Sequence, residues 1–475
     1  MELLIIIIFV VGYLAIALEH PIKINKTASA LLTAVICWTI FTVSGSPDTL
    51  LESERYLNFI KELGEKGDYA EYKFLDGSLQ FFDEIGGKAV ASISGTELHL
   101  EYVVEQLGHH LNEIAQILFF LMGAMTIVEL VDAHHGFKFI TDRIKTKNPI
   151  ALLWVVCIVA FFLSSVLDNL TTTIVMVSLV RKLIPDKEMR LFFAGMIVIA
   201  ANAGGAWSPI GDVTTTMLWI GGQISAAAIM KGLFIPSIVC TLVPLIFLTF
   251  TMKGTLGEFK EETESSAASV KTGNLMLILG IGALISVPIF KTVTHLPPYM
   301  GMLLGLGILW VVSELINPDM DESERKNFTA SHALAKIDMP SVLFFLGILL
   351  AVGSLQSMGT LANFAGYLNT SIGDNRIIIT LIGLLSAIVD NVPLVAASMG
   401  MYSLEAYPMD NFIWTYLAYC AGTGGSILII GSAAGVAAMG MEKIEFGWYL
   451  KRISFLAALG YFAGAGVYLL MDKFF

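Results

Sequence analysis

Charged residues and cysteines are both scarce in this sequence, and each shortage excludes a class of protein. Only 14% of the 475 residues are charged, whereas soluble domains carry about 25%. The four cysteines are far apart inside apolar runs, so the sequence predicts neither a disulfide framework nor a metal-binding cluster. A net charge of −12 argues against a nucleic-acid-binding surface, which would be basic. We expect no nucleic-acid partner and no cofactor.

Hydrophobic residues, by contrast, make up 56% of the chain and cluster in blocks of 16 or more. Blocks of this length predict membrane-spanning helices. The sequence therefore predicts an all-α polytopic membrane protein surrounded by the lipid bilayer. We predict ten full spans, at 3–18, 28–45, 112–132, 190–220, 231–252, 273–290, 298–316, 340–357, 411–440 and 452–472.

Two further apolar segments, 150–184 and 376–404, are interrupted at their centres by polar residues. The first contains SSVLDNLTTT at 164–173, and the second contains SAIVDNVPLV at 386–395. Each segment is either two short spans or a re-entrant hairpin that enters and leaves the membrane at one face.

The distribution of basic residues favours the hairpins and sets the orientation. If both segments are hairpins and the first loop is cytoplasmic, six loops face inward and hold 19 of the 28 Lys and Arg residues. Such an excess is typical of cytoplasmic loops. Both termini then lie outside, and the two hairpins open to opposite faces. The six loops are 19–27, 133–149, 181–190, 253–272, 317–339 and 441–452.

The chain also repeats internally. FFLMGAM (119–125) corresponds to FFLGIL (344–349), SSVLDN to SAIVDN, and NAGGAWSPIG (202–211) to GTGGSILIIG (422–431), with offsets of 225, 222 and 220 residues. Each half holds five spans and one hairpin, and five is odd, so the halves face opposite ways. This predicts an inverted repeat with broken helices near the membrane midplane, the architecture of secondary transporters.

The predicted domain division follows that repeat. The first repeat covers 1–252 and includes the hairpin 150–184 and an extramembrane loop at 46–111. A cytoplasmic linker covers 253–272, and the second repeat covers 273–475 with the hairpin 376–404. The loop at 46–111 holds 13 acidic and 5 basic residues, which indicates a solvated segment outside the membrane.

Three carboxylates interrupt the apolar sequence at these breaks: Asp168, Asp212 and Asp390. An aspartate at the bilayer centre costs about 2.5–3.5 kcal/mol on insertion scales, and none of these motifs contains Lys or Arg. The counter-charge is therefore expected to be a bound cation or a proton. Repulsion and burial disfavour two charged carboxylates in one site, so we expect sodium and protons to bind in turn at Asp168 and Asp390.

The motifs SSVLDNLTTT, NAGGAWSPIGDVTTT, SAIVDNVPLVAASMGMY and AGTGGS, with AMTIVELVDAHHGF at 124–137, resemble the NhaD-type sodium/proton antiporters of the ion transporter superfamily. The resemblance implies antiport of intracellular sodium, and of lithium, against external protons, which supports pH homeostasis. It also implies a homodimer in a bacterial inner membrane. One side of the implied cation and proton site consists of Asp168, Asn169, Asn202, Asp212, Thr214 and Thr215. The other side consists of Ser386, Asp390, Asn391, Thr423 and Ser426.

Other functions share part of this pattern. An arsenite-type exporter or a carboxylate symporter of the same superfamily would have the same fold. An intramembrane aspartyl protease would also carry aspartates in the membrane, but on intact helices and without a duplication. We expect no enzymatic activity.

The histidines lie outside the predicted spans, where histidine side chains are usually solvated. His109–His110 and His134–His135 are adjacent pairs without further metal-ligand spacing, and a role for them in sensing pH is open. Glu129 lies near the end of its span, where it either lines the cytoplasmic access path or pairs with a basic residue of a loop.

Overall fold

The computed structural model describes residues 2–44, 54–66, 71–75, 78–82, 89–141, 146, 148–251, 267–316 and 326–474. They form two compact units. Unit 1 consists of Met1–Ala115, Pro340–Ser371 and Ala396–Tyr402. Unit 2 consists of Gln116–Met339, Ile372–Val395 and Ser403–Phe475.

The first half of the chain is mostly helical, with one small sheet. Its helices are α1 (Glu2–Ala17), α2 (Glu19–Ile22), α3 (Lys26–Ser44), α4 (Glu54–Lys66), α5 (Gly95–Ala133), α6 (Lys138–Thr141), α7 (Pro149–Ser164), α8 (Asn169–Leu183), α9 (Lys187–Ala206), α10 (Val213–Ile220) and α11 (Ala226–Thr251). The strands are β1 (Glu71–Leu75), β2 (Ser78–Phe82) and β3 (Ala89–Ser94), which pair antiparallel in the order β1-β2-β3.

The described part of the second half is helical. Its helices are α12 (Ala267–Thr294), α13 (Pro298–Leu315), a 3₁₀ turn (Lys326–Phe328), α14 (Ala330–Lys336), α15 (Met339–Ser357), α16 (Thr360–Ile372), α17 (Asn375–Leu385), α18 (Asn391–Met401), α19 (Phe412–Gly424), α20 (Ala433–Glu442), α21 (Phe446–Arg452) and α22 (Ser454–Phe474).

Eight described helices are long and apolar enough to cross a membrane. They are Lys26–Val43, Gly95–Ala133, Lys187–Ala206, Ala226–Thr251, Thr272–Thr294, Pro298–Leu315, Met339–Ser357 and Ser454–Lys473. The first predicted span corresponds to α1, a shorter apolar helix of 16 residues. The prediction of an all-α polytopic membrane protein is therefore confirmed, and the chain is an integral membrane protein.

The small sheet in unit 1 was not predicted from the sequence. On β2, Leu79 and Phe81 alternate with less buried neighbours, so one face of the strand is apolar. Nearby, Tyr56 of α4 packs edge to face on Tyr102 of α5, with ring centroids 5.0 Å apart. Aromatic contacts thus attach α4 to the start of a long helix.

That long helix, α5, has 39 residues and starts well before its apolar part. In the segment 95–111 the buried residues Leu98, His99, Tyr102 and Val103 recur at helical spacing. Such a segment is an amphipathic helix. The continuous apolar block in this helix begins only at about residue 112, because the turns before it are apolar on one face. The sequence therefore predicts a start that is later than the one observed.

The expectation that loop histidines are solvated is wrong for three of them. His99, His110 and His134 are only 2%, 4% and 2% exposed. In unit 1, His99 Nε2 donates to the carbonyl oxygen of Phe41 at 2.8 Å, and His110 Nε2 lies 3.1 Å from Ser357 Oγ. These imidazoles are buried because each lies on the packed face of α5 and has a hydrogen-bond partner.

In unit 2, the segment that follows α5 is held by residues 326–336. His134 Nε2 donates to the carbonyl oxygen of Phe328 at 3.3 Å. Burial lowers the pKa of His134 below its usual value, although this hydrogen bond opposes the shift. Glu129 pairs with Lys336 at 3.2 Å, which is one of the two roles expected for it.

The two interrupted segments fold as pairs of short helices. The arms of the first, α7 and α8, have 16 and 15 residues, which correspond to about 24 and 22 Å. The arms of the second, α17 and α18, have 11 residues each, or about 16 Å. A hydrocarbon core is about 30 Å thick. Each arm is therefore shorter than the hydrocarbon core, and the re-entrant course of the two hairpins stays a prediction.

Candidate cation-binding site

All of the predicted site residues lie in unit 2. They lie at or near helix ends: the starts of α8 and α10, the turn between α17 and α18, and the ends of α9 and α19. Helix ends leave backbone N–H and C=O groups without intrahelical partners. The breaks in these helices therefore bring both side-chain and backbone polar groups into the interior of the unit.

Asp168 precedes α8 and caps it. Its Oδ1 accepts from the backbone N–H of Thr171 at 2.7 Å, and its Oδ2 accepts from the Thr171 hydroxyl at 2.8 Å. Its backbone has φ 124° and ψ 161°, a region that is essentially restricted to glycine and costs about 1–3 kcal/mol. The packing around the hairpin tip thus imposes a strained backbone on a residue that carries a carboxylate.

A chain of neutral hydrogen bonds links the two halves of the sequence. Asn169 Nδ2 donates to Asn202 Oδ1 at 2.9 Å. Asn202 Nδ2 in turn donates to the hydroxyls of Ser426 at 2.9 Å and Ser432 at 3.0 Å. Asn202 is fully buried, so these bonds satisfy both ends of an amide that has no access to water.

Asp212 is the centre of the carboxylate cluster. It caps α10 by accepting from the N–H of Thr214 at 3.3 Å, and its Oδ2 accepts from Asn391 Nδ2 at 3.2 Å. The carboxylate is 2% exposed. It lies close enough to both Asp390 and Asp168 for their charges to repel it. The three aspartates, from two hairpins and one broken helix, thus lie near one another in unit 2, and their joint cation and proton site stays a prediction.

The other predicted residues differ in what their side chains contact. Asp390 Oδ1 accepts from the N–H of Val392 at 3.4 Å, at the start of α18. Three hydroxyls donate to backbone carbonyls: Thr215 to Asp212, Thr423 to Tyr419, and Ser386 to Ala421. These three side chains hold the backbone of the breaks in place.

The same backbone contacts recur in both halves. Ser164 Oγ donates to the carbonyl oxygen of Ala201 at 2.6 Å, as Ser386 Oγ does to Ala421 at 3.0 Å. In each half a serine at the hairpin tip thus ties the hairpin to the helix that breaks beside it.

Glycine is required where these elements touch. A Cβ at Gly204 of α9 would overlap the carbonyl oxygen of Phe161, and a Cβ at Gly424 of α19 would overlap that of Gly383. Phe161 and Gly383 are 222 residues apart, the offset of the hairpin motifs. The helices approach each other so closely that backbone meets backbone.

The structure also adds residues to the set. Ser432 and Thr171 hydrogen-bond directly to predicted site residues. Within the part of the chain that the structure describes, the buried hydroxyls of Thr172 and Thr173 have no hydrogen-bond partner. The run of three threonines after Asp168-Asn169-Leu170 was the available signal.

This arrangement suits a hard monovalent cation or a proton. The polar atoms are carboxylate, amide and hydroxyl oxygens, the ligand types that hard cations prefer. Among the described residues, the hydrogen-bond partners of Asp168 and Asp212 carry no positive charge. No group of three His, Cys, Asp or Glu side chains in the described part of the chain is arranged to hold a metal ion.

Comparison with known proteins agrees with this chemistry. Residues 4–422 match the family described as citrate transporter. Sodium/proton antiporter 1 of Arabidopsis thaliana is 47% identical over 466 residues, 98% of this chain and 71% of the relative. Sodium/proton antiporter 2 of the same plant is 43% identical over 471 residues, 98% of this chain and 99% of the relative.

A bacterial relative has the name expected from the motifs. Na(+)/H(+) antiporter NhaD of Vibrio parahaemolyticus is 32% identical over 388 residues, 75% of this chain and 90% of the relative. The chain therefore belongs to the citrate transporter family of integral membrane proteins and, within it, to the NhaD-type sodium/proton antiporters.

Proposed function

We propose that this protein exchanges intracellular sodium for external protons by alternating exposure of one buried site. The observation that carries the proposal is the carboxylate cluster around Asp212, which lies among neutral amides and hydroxyls. Asp212 is buried, and Asp168 and Asp390 are half-buried. Carboxylates that repel each other in such a site are stabilised by a proton or a cation bound among them. A site that holds either ligand, but not both, exchanges them when it opens to each face in turn.

The residues divide into two proposed roles. Asp168 and Asp390 bind sodium and protons in turn, while Asp212, Asn169 and Asn202 shape the site. The remaining members of the predicted set complete the site: Thr214, Thr215, Ser386, Asn391, Thr423 and Ser426.

The family description names citrate, but the charge of this site argues against a carboxylate substrate. Citrate would bring negative charge to a cluster of three aspartates, and like charges in a buried site are costly. The same objection applies less strongly to arsenite as a substrate, because neutral arsenite brings no negative charge to the site.

The function can be tested in everted membrane vesicles that carry a respiration-driven pH gradient, monitored with a pH-sensitive dye. Addition of sodium or lithium chloride should collapse the gradient, whereas sodium-free citrate or arsenite should leave it unchanged. Collapse by citrate or arsenite, with no response to sodium, would assign the protein to one of the alternative transporters.

Competition between the ligands gives a second test. Because one site holds either sodium or protons, acidification should raise the sodium concentration needed for half-maximal exchange. Below the pKa of the site, the increase should be about tenfold for each pH unit and each proton that sodium displaces. High sodium should restore the maximal rate. A maximal rate that falls with acidification at saturating sodium would indicate a separate proton path.

The setting of the protein is part of the proposal. We place it in the cell membrane of a bacterium with both termini outside, as a homodimer that transports lithium as well as sodium. Imaging of a fluorescent fusion and cross-linking in native membranes test the location and the dimer separately.

A further inference from the structure

A cavity of about 550 Å³ in unit 2 lies apart from the carboxylate cluster. It is formed where α9 begins, α11 ends, and α21 meets α22. Asp186 at its edge precedes Asn202 by 16 residues, or about 24 Å along α9. The cavity shares none of the predicted site residues, so transport of sodium and protons does not account for it.

One side of the cavity is apolar. Its inner wall includes Leu248 and Leu456, which are 5% and 3% exposed. Its outer wall includes Phe247 and Phe455, which are 43% and 63% exposed and pack edge to face with centroids 6.3 Å apart. Exposed aromatic rings on membrane-spanning helices face lipid. The cavity therefore has an apolar surface that continues toward the acyl chains.

The opposite side of the cavity carries charges of both signs. Lys451 and Arg452 form the last turn of α21, and Asp186 and Glu188 stand at the start of α9. Both carboxylates are exposed, but that of Asp186 caps α9 by accepting from Met189 N at 2.7 Å. Two cationic groups and two carboxylates thus border a cavity with an apolar wall, and Glu188 is the carboxylate that does not cap α9.

The position of the cavity matches the level of lipid head groups. Helices α9, α11 and α22 are all long enough to span a membrane, and the charged residues lie at their ends. Close to the cavity, Trp448 packs edge to face on Phe192, with centroids 5.2 Å apart. Aromatic and basic side chains are typical of this interface.

We propose that this cavity binds one phospholipid whose zwitterionic head group carries a primary amine. Lys451 and Arg452 bind the phosphate, the Glu188 carboxylate accepts from the ammonium, and an acyl chain lies along Phe247 and Phe455. An anionic head group would place negative charge beside Glu188 and Asp186. A choline head group fits the charges but has no N–H to donate, so the amine lipid binds more tightly.

Native mass spectrometry of the full-length protein in nanodiscs tests this binding without any transport measurement. The discs contain equal amounts of phosphatidylethanolamine, phosphatidylcholine and phosphatidylglycerol. The parent protein should retain one phosphatidylethanolamine per chain in preference to the other two lipids. Lys451→Gln with Arg452→Gln should weaken that retention about tenfold, because both phosphate contacts are lost.

Two further variants separate the contributions. Glu188→Gln should keep phosphate binding but abolish the preference for phosphatidylethanolamine over phosphatidylcholine. Lys231→Gln removes an exposed charge at the other end of α11 and should change neither. Equal retention of all lipids by the parent, preference for phosphatidylglycerol, or an unchanged Lys451→Gln/Arg452→Gln variant would overturn the proposal. Because binding is measured directly, failure here leaves the proposed antiport unaffected.

Discussion

Asp168 and Asp390 have matching positions in the two hairpins, and each precedes a helix that starts at the site. Both accept a backbone N–H from that first turn, where the helix dipole favours negative charge. Of these two aspartates, Asp168 has a positive φ and Asp390 does not. A residue held in such a conformation requires strong surrounding packing, so the position of its carboxylate is closely controlled.

Replacement of either hairpin aspartate should abolish exchange. In Asp168→Asn and Asp390→Asn the amide can still cap its helix, but it cannot release the proton that drives sodium export. Dye-monitored antiport in everted vesicles should show no response to sodium, while membrane insertion and yield match the parent.

Asp374→Asn is the matched control for this prediction. Asp374 also caps a helix, accepting from Arg376 N at 2.8 Å, but it is exposed and outside the cluster. Exchange should stay close to that of the parent. Near-normal antiport in Asp168→Asn or Asp390→Asn would show that its carboxylate has only a structural role.

Asp212 differs from the hairpin aspartates, because Ser432 occupies the matching position in the second half. Both residues cap the half-helix that follows the break. In Asp212→Asn the capping is retained but one negative charge is lost. The half-saturating sodium concentration should rise about tenfold, with residual exchange. Complete loss of transport in a folded variant would instead make Asp212 a proton carrier.

At the scale of elements, the breaks depend on close helix contact. Gly204→Ala places a methyl group against the backbone of α7, and Gly424→Ala does the same against α17. Backbone cannot move aside as a flexible side chain can, so each substitution should cost about 1–3 kcal/mol. Gly440→Ala is the control, because a Cβ there meets nothing within 4 Å. A thermal melt of the purified proteins should show lower midpoints for the first two only.

An ionic cluster around the buried Glu442 joins α8, α9 and α20. It lies at the ends of these helices that are farther from the predicted cation site. Glu442 of α20 is 4% exposed and accepts from Arg181 Nε of α8 at 3.1 Å and Arg190 Nε of α9 at 3.0 Å. Arg181 also donates to the carbonyl oxygen of Met441. Because α8 and α20 both start at the site, this cluster holds their far ends together.

Removal of the Glu442 charge should therefore destabilise the fold. Glu442→Gln leaves two partly exposed arginines around a neutral amide, and loss of the charge from these hydrogen bonds costs about 1.5–3 kcal/mol. The thermal midpoint should fall clearly, whereas Glu445→Gln, an exposed acid nearby, should leave it unchanged. Equal midpoints for the two variants would mean that the cluster contributes no net stability.

At the scale of the whole molecule, the distribution of basic residues predicts the orientation of the chain in the membrane. The basic residues predict that 133–149 is cytoplasmic and 46–111 external. His135 and Lys61 are exposed positions in these two segments, and all four native cysteines are buried. A membrane-impermeant maleimide should label Lys61→Cys in intact cells, and His135→Cys only after permeabilisation. The reverse labelling pattern would invert the topology.

The two predicted sequence repeats and the two compact units divide the chain in different ways. The predicted repeats divide the sequence near 252–273, and that division stays a prediction. The compact units cut across it, since unit 2 contains α7 and α8 from the first half together with α19 and α20 from the second. Segments that are distant in sequence pack together in unit 2, where α8 and α9 of the first half contact α20 of the second.

Much of this protein could be read from its sequence. Long apolar blocks determine spanning helices, since only a helix satisfies its own backbone polar groups in lipid. Carboxylates without basic partners in those blocks indicate a cation or proton site. Glycine-rich motifs at a constant offset indicate where the helices break. Each of these conclusions rests on local composition or spacing, which a sequence records directly.

Contacts between distant residues were decided only by the tertiary structure. The sequence could not show that Asn202 donates to Ser426, 224 residues away, or that Asn391 donates to Asp212, 179 residues away, because such contacts depend on how the helices pack. The sequence analysis also did not predict the early start of α5 or the burial of His99 and His110, since an amphipathic helix has no continuous apolar block. The sequence determined which groups enter the membrane, and packing determined which of them meet.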